Sequence, residues 1–227
     1  MPISYGASIV KDGLVLYLDA ANPKSYPGSG TNWADLSGNG NDATLINGAT
    51  YSGGSLYFDG IDDHLDFNQM HTLSRAGGTL EFIINRDASL YRTFLTKSQG
   101  SFESHLEFDI AKTRTETVNN CNTFDSPTFT FTNSQWNVLS LKFYANKSYW
   151  YINGIYIGET PSYGTVNCTA VVATQLEDNF NFRYLGLASA YTTGYQGFVS
   201  SLKLYNRALT DDEVLQNFEA HRGRFGI

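Results

Sequence analysis

The sequence is short of charge. Asp, Glu, Lys and Arg make up 16% of its 227 residues, against about a quarter in an average globular domain. The formal net charge is −7 and no run of Lys or Arg stands out. Without a basic stripe to displace counterions, a nucleic-acid partner is not expected, and an anionic membrane surface is disfavoured for the same reason. No apolar stretch approaches the roughly 20 residues of a membrane span. The opening residues, MPISYGASIVKDG, carry neither a basic nor an apolar leader segment, so no secretory signal is expected. Cysteine is scarce: Cys121 and Cys168 are the two, far apart in sequence. Thiols in a reducing cytosol are the simpler expectation, and a bridge between them is the alternative.

What the chain has instead is aromatic and turn-forming residues. Aromatics reach 15% and glycine 21 residues. A chain of this length buries about three quarters of its unfolded surface, so it needs no disulfide or metal as a staple. Short strand-like runs bounded by Gly, Asn, Asp or Ser succeed one another almost from end to end: LVLYL, SLYFD, HLDF, TLEFIIN, RTFLT, SHLEFDIA, TFTFT, NVLSLKFYA, SYWYI, IYIGE, FRYLGLA and GFVSSLKLYN. About a dozen strands at this spacing predict an all-β sandwich in a single domain over residues 1–227. Asn153-Gly154 between SYWYI and IYIGE predicts a two-residue hairpin with positive φ at both positions. Gly60 to Asp63 reads as a hairpin turn joining SLYF to HLDF.

One segment departs from the β pattern. Thr210-Asp211-Asp212-Glu213 is a capping box, with acidic residues in the first turn. Val214, Leu215 and Phe218 share a face and Gly223 offers a stop. This predicts one short C-terminal helix from Asp211 to about Arg222.

Four segments, GLVLYLDAAN, W-x-DLSGNGNDATL, SLYFDGIDDHLDF and SSLKLYNRALTDDEVLQNFEA, resemble in order the concanavalin A-like lectin/glucanase superfamily, in its laminin-G-like branch. The resemblance runs from about Gly13 to about Arg224. It implies a jelly roll of two antiparallel sheets, each of about six or seven strands, with the first and last strands adjacent. Short domains of this kind, beginning near a first Met and ending in NFEAHRGRFGI, are also similar to virion proteins of tailed phages, particularly those of marine cyanobacteria. That similarity implies a virion-surface location after synthesis in the host cytoplasm.

The superfamily includes glucanases, whose paired carboxylates must flank the glycosidic oxygen about 5–5.5 Å apart in retaining enzymes. The nearest match is Glu107-Phe108-Asp109-Ile110, but Ala111 and Lys112 follow where the acid/base partner belongs, and Glu116 reaches the site only after a bend. A polar strand face is the simpler reading, and no catalysis is expected. His64, His71, His105 and His221 are scattered, without metal-ligand spacing. Calcium takes six to eight oxygens, which flexible loops can supply. Asp35, Asn39, Asn41 and Asp42 crowd one loop, and Asp59, Asp62 and Asp63 another; the resemblance implies a structural calcium near such loops, with Asp35 first. The same residue types are also ordinary turn formers.

Sugar binding needs aromatic faces, with amides and carboxylates to fix the hydroxyls. Tyr26, Trp33, Tyr163, Tyr191 and Tyr195 are the candidates in loops, although Trp33 also suits a plug for the sandwich end. Tyr149, Trp150, Tyr151 and Tyr156 read as core or cross-strand pairs. The expectation is therefore a non-catalytic, lectin-like virion-surface protein that binds cell-surface glycan or decorates the particle. The alternative is a purely structural capsid-decoration or tail protein that glues neighbouring subunits. A glycoside hydrolase ranks below both. Expected partners are glycan or capsid and tail subunits, with homo-oligomerisation open.

Overall fold

The computed structural model describes residues 7–74, 76–87, 92–98, 105–108, 113–117, 122–125, 127, 134–145, 147–161, 179–187 and 193–227. Among these it places seventeen strands and one helix. The strands are β1 (Leu14–Asp19), β2 (Asn32–Trp33), β3 (Ala43–Ile46), β4 (Thr50–Ser52), β5 (Ser55–Asp59), β6 (His64–Ser74), β7 (Gly77–Arg86) and β8 (Arg92–Thr96). There follow β9 (His105–Phe108), β10 (Thr113–Thr117), β11 (Asn122–Asp125), β12 (Trp136–Tyr144), β13 (Lys147–Ile152), β14 (Ile155–Pro161), β15 (Asn179–Leu185), β16 (Thr193–Gly194) and β17 (Gln196–Tyr205). The helix α1 is Asp211–Phe225.

The strands form two sheets. Sheet A runs β14-β13-β12-β7-β17-β5-β4, with β1 beside the C-terminal half of β17. Sheet B runs β11-β10-β9-β8-β15-β6-β3-β2, with the short β16 parallel to β8. The first and last strands are thus adjacent, as the family resemblance implies, although the sheets are wider than six or seven strands. Alternate residues of facing strands meet between the sheets, because side chains leave a strand with a period of two. The resulting core is led by Phe58, Phe67, Phe82, Phe94, Trp150 and Phe182.

Two local readings need correction. Gly60–Asp63 is not a hairpin: β5 belongs to sheet A and β6 to sheet B, so this turn is a corner where the chain changes sheets. The helix does not stop at Gly223 but continues to Phe225 and ends on Gly226 in the left-handed region. A Cβ at Gly223 would meet nothing within 4 Å, so that glycine sits on an open helix face and imposes no turn. The hairpin at Asn153-Gly154 does form, with φ of 51° and 75°.

Helix α1 lies on the outer face of sheet A. Its start is fixed by Thr210, whose hydroxyl accepts from the Glu213 amide (3.2 Å) while Glu213 accepts from the Thr210 amide (2.8 Å). The Arg207 guanidinium forks onto Glu213 at 2.8 and 2.6 Å and holds its carboxyl down to about 2. Phe218 packs on Ile83 and Val138, Val214 beside Tyr151 and Tyr205, and Phe225 against Trp136. This apolar contact matters because a helix of this length is marginal on its own in water.

A buried polar layer lies beneath the helix. Glu81 accepts from the Ser140 hydroxyl at 2.9 Å and from the Asn217 amide, and Lys203 is its register partner on β17. Burial pushes the Glu81 carboxyl up and the Lys203 ammonium down, and each charge opposes the other's shift. Among the described residues, no helix is long and apolar enough to cross a membrane.

Candidate functional site

Three of the five loop aromatics expected to stack on sugar are core residues. Trp33 and Tyr195 are 0% exposed and Tyr26 is 3%. The Tyr26 hydroxyl donates to the Gly30 carbonyl at 2.8 Å, and its ring packs on Tyr51. Tyr195 lies between Phe58 and Phe94, with its hydroxyl donating to the Phe198 carbonyl at 3.2 Å. Trp33 closes the sandwich interior in the way that the plug reading anticipated. With both ring faces covered by protein, none of the three offers a stacking surface. Tyr163 and Tyr191 lie outside the described residues, as do Cys121 and Cys168.

The Asp35 loop is a knot tied by its own side chains. Asp35 Oδ1 accepts from the amides of Tyr17 (2.9 Å) and Ser37 (2.8 Å), and Oδ2 from the Ser37 hydroxyl (2.6 Å) and the Asn41 amide (3.0 Å). Asp42 accepts from the Asp35 amide at 2.8 Å. Asn39 and Asn41 donate to the Val15 carbonyl at 3.0 and 2.7 Å, and the Asn41 oxygen accepts from Gln69. Both Asp35 oxygens therefore face donors that a cation would have to displace. The residues fit a loop staple and do not fit the first-ranked calcium site.

The other acidic loop is different. Asp59, Asp62 and Asp63 have carboxylate oxygens within 4.8 Å of one another, the sole such group of three acidic, His or Cys side chains among the described residues. They sit on the corner between the sheets. Asp63 Oδ2 accepts from the Asp59 amide at 3.1 Å, and Asp59 Oδ1 from the Ile61 amide at 2.7 Å. Burial raises the Asp63 carboxyl, and the neighbouring Asp59 and Asp62 charges raise it further. Asn47 reaches the Asp62 carbonyl at 3.0 Å. Gly186 passes so close that a Cβ there would lie 3.1 Å from the Asp63 carbonyl oxygen, and its φ is +85°. Hard oxygens, mutual repulsion and a compact frame are the donor set that calcium favours, so these residues fit the ion.

Beside this corner lies the outer face of sheet B. The register of β15 on β6 slips between Phe182 and Tyr184. Such a bulge lets two successive side chains take the same face. Arg183 forks onto Asp66 at 2.9 and 2.9 Å, while the Tyr184 ring meets the His64 ring at 6.0 Å and lies 5.3 Å from the Arg183 guanidinium carbon. Arg183 holds the Asp66 carboxyl below its usual range. The His64 Nδ1 contacts the Asp62 carbonyl at 2.9 Å. A carbonyl only accepts, so Nδ1 carries the proton and, in the neutral ring, Nε2 is the acceptor. Further along, Thr72 donates to Asn181 at 2.7 Å. This half-exposed group of ring, guanidinium, imidazole and carboxylate lay unread in the sequence. The alternation of HLDF could have exposed His64 and Asp66, but the bulge hides the Arg183-Tyr184 pair from any period-two reading.

Glu107 stands on β9 opposite Thr93 and Arg114, and Glu116 on β10 opposite His105 and Thr123. The Glu107 side chain and Asp109 through Lys112 lie outside the described residues.

Two antiparallel sheets packed face to face, with joined terminal strands and one helix on the outside, define a lectin-type jelly roll. The chain belongs to the Laminin_G_3 family of the concanavalin A-like lectin/glucanases superfamily, whose family model matches residues 58–215. No curated protein sequence matches it. Among solved structures, a Trypanosoma rangeli sialidase mutant with trans-sialidase activity is similar over 100% of this chain at 19% identity and TM-score 0.64. The chain spans 36% of that sialidase. Domain 4 of AbnA, a GH43 extracellular arabinanase from Geobacillus stearothermophilus, solved with arabinotriose, is similar over 91% of this chain and 98% of that domain, at 14% identity and TM-score 0.62. The botulinum neurotoxin serotype D binding domain is similar over 92% of this chain and 52% of its own, at 11% identity and TM-score 0.62. At these identities the likeness is one of fold.

Proposed function

We propose that this protein is a non-catalytic glycan-binding module whose ligand lies on the outer face of sheet B, against the three-carboxylate corner. The observation that carries it is the bulge that sets Arg183 and Tyr184 side by side next to His64, Asp66 and the acidic corner. A pyranose presents an apolar C–H face and a rim of hydroxyls. Tyr184 supplies a ring for the first, and Arg183, Asp66 and His64 supply donors and acceptors for the second. Calcium held by Asp59, Asp62 and Asp63 would brace the corner and offset two of its three negative charges. The arabinotriose complex of the AbnA domain supports the reading, since this chain matches almost all of that domain. The break after Asp109, where Ala111 and Lys112 stand in place of an acid, supports the absence of catalysis. The virion-surface setting belongs to the same proposal, supported by the resemblance of the segment NFEAHRGRFGI to tailed-phage virion proteins.

The test is a glycan array of neutral and acidic envelope sugars, run with calcium and with EDTA, followed by titration of the best ligand. Tyr184→Ala and Arg183→Ala are each expected to weaken binding by about tenfold, the cost typical of a contact residue worth over 1 kcal/mol. Binding to no glycan, together with specific capture of capsid or tail subunits, overturns the reading in favour of a structural decoration protein.

A further inference from the structure

On the opposite side of the molecule, the register of sheet A lines up one residue from each of five strands. Trp136 of β12 pairs with Asn85 of β7, Asn85 with Phe198 of β17, Phe198 with Tyr57 of β5, and Tyr57 with Thr50 of β4. The row crosses the strands at right angles just beyond the end of α1. Neighbouring strands lie about 4.8 Å apart, so it extends for roughly 19 Å, enough for a short oligosaccharide. Its outward direction is fixed by residues two and four positions earlier on β7: Ile83 and Glu81 both contact the helix. The rings touch in sequence, Trp136 to Phe198 at 6.3 Å and Phe198 to Tyr57 at 4.9 Å. Phe225, 4.6 Å from Trp136, walls one end.

Trp136, Asn85, Phe198 and Tyr57 are all half-buried, and Thr50 is exposed. None of the five is charged. Amide and hydroxyl groups stand among the rings, and Gln196 reaches the Tyr57 hydroxyl at 3.5 Å. Asn85 Oδ1 is shielded beside the rings and has no hydrogen-bond donor among the described residues. A buried acceptor left unpaired costs about 1–3 kcal/mol, and a small rotation of the amide would present it to an incoming hydroxyl. An apolar protein partner would not satisfy that acceptor, whereas a sugar laid across the rings can.

We propose that this row is a second carbohydrate site, which takes a single chain of a neutral, soluble polysaccharide across the strands. The rings are tilted 50° and 57° to one another. They form a twisted ribbon, which suits a lone flexible chain and not the flat face of a crystalline polymer. The row lies on the other sheet from Arg183 and Tyr184 and ends near the corner, with Tyr57 two positions before Asp59 on β5, but it draws on none of the three carboxylates.

The row carries its own reporter. The chain has three tryptophans, and Trp33 and Trp150 are 0% exposed, so quenchable emission comes from Trp136. Acrylamide quenching of the full chain is measured with laminarin, linear arabinan, mannan and hydroxyethylcellulose, each with EDTA throughout. At least one is expected to shield Trp136, and Tyr57→Ala, which leaves all three tryptophans in place, to raise the apparent Kd about tenfold. The shielding is expected to survive Asp62→Asn, which separates this site from the corner. Quenching unchanged by all four polymers overturns the proposal. So does shielding indifferent to Tyr57→Ala, or Trp136 emission that depends on protein concentration alone, which would make the row a contact between copies.

Discussion

His221 is buried on the last turns of α1, with its Nδ1 2.9 Å from the Asn217 carbonyl and its ring edge-on to Tyr17. Burial and the nearby Lys203 charge bring its pKa down to about 3, with Arg224 acting in the same direction and Asp19 against it. In the unfolded chain the ring titrates near its ordinary value of 6.5. Between the two, the unfolded state binds a proton that the folded state refuses, so stability is complete above pH 6.5 and falls as the pH drops. By pH 5 this amounts to about 2 kcal/mol, at 1.36 kcal/mol per unit. His71, also lowered by burial, adds to it with the same sign. Urea unfolding of the wild type is therefore expected to weaken steadily from pH 6.5 to 5. His221→Gln, which cannot take up that proton, should show a distinctly flatter dependence. An equal slope in both proteins would show that the imidazole is not the group responsible.

The elements that were legible in the sequence are those whose signals are local. The capping box at Thr210 acts within one helical turn, and Asn153-Gly154 needs no distant contact to adopt positive φ. Thr210→Ala is expected to cost about 1 kcal/mol, the usual value of such a cap. Gly154→Ala should cost more, for two reasons. The backbone there is at φ +75°, and an added Cβ would lie 3.0 Å from Phe218 Cδ1 and 3.1 Å from Leu215 Cδ1. The hairpin tip thus seats the helix, and chemical denaturation of the two variants should rank them in that order. What was not legible depends on long-range placement. Gly60–Asp63 has the chemistry of a turn whether the next strand pairs with its predecessor or crosses to the other sheet. Trp33, Tyr26 and Tyr195 read as loop aromatics because their burial rests on residues distant in sequence, Tyr51 for Tyr26 and Phe58 and Phe94 for Tyr195.

At the scale of the whole molecule, the acidic corner is one of the places where the two sheets are tied, because β5 ends in sheet A at Asp59 and β6 opens in sheet B at His64. A ligand that binds there only when the sheets are assembled stabilises the entire sandwich by mass action, about 2.7 kcal/mol at a hundredfold excess over Kd. For a domain of this size each kcal/mol moves Tm by about 2–4 °C. Saturating calcium should therefore raise Tm by about 5–10 °C, by the same two relations. Asp62→Asn, which removes an exposed carboxylate and no packing, should abolish most of that rise while leaving the metal-free Tm nearly unchanged. Asp35→Asn is the contrasting case: it weakens an acceptor of four hydrogen bonds, so it should lower Tm with and without calcium by the same amount. The raised Asp63 carboxyl sets the pH dependence. Protons compete with the cation, so the calcium-induced rise should shrink as the pH falls towards the carboxylate range, and differential scanning calorimetry at pH 7.5 and 5 measures it. A rise that is unaffected by Asp62→Asn but lost with Asp35→Asn would move the metal to the loop at the other end of β3 and reverse the assignment of staple and site.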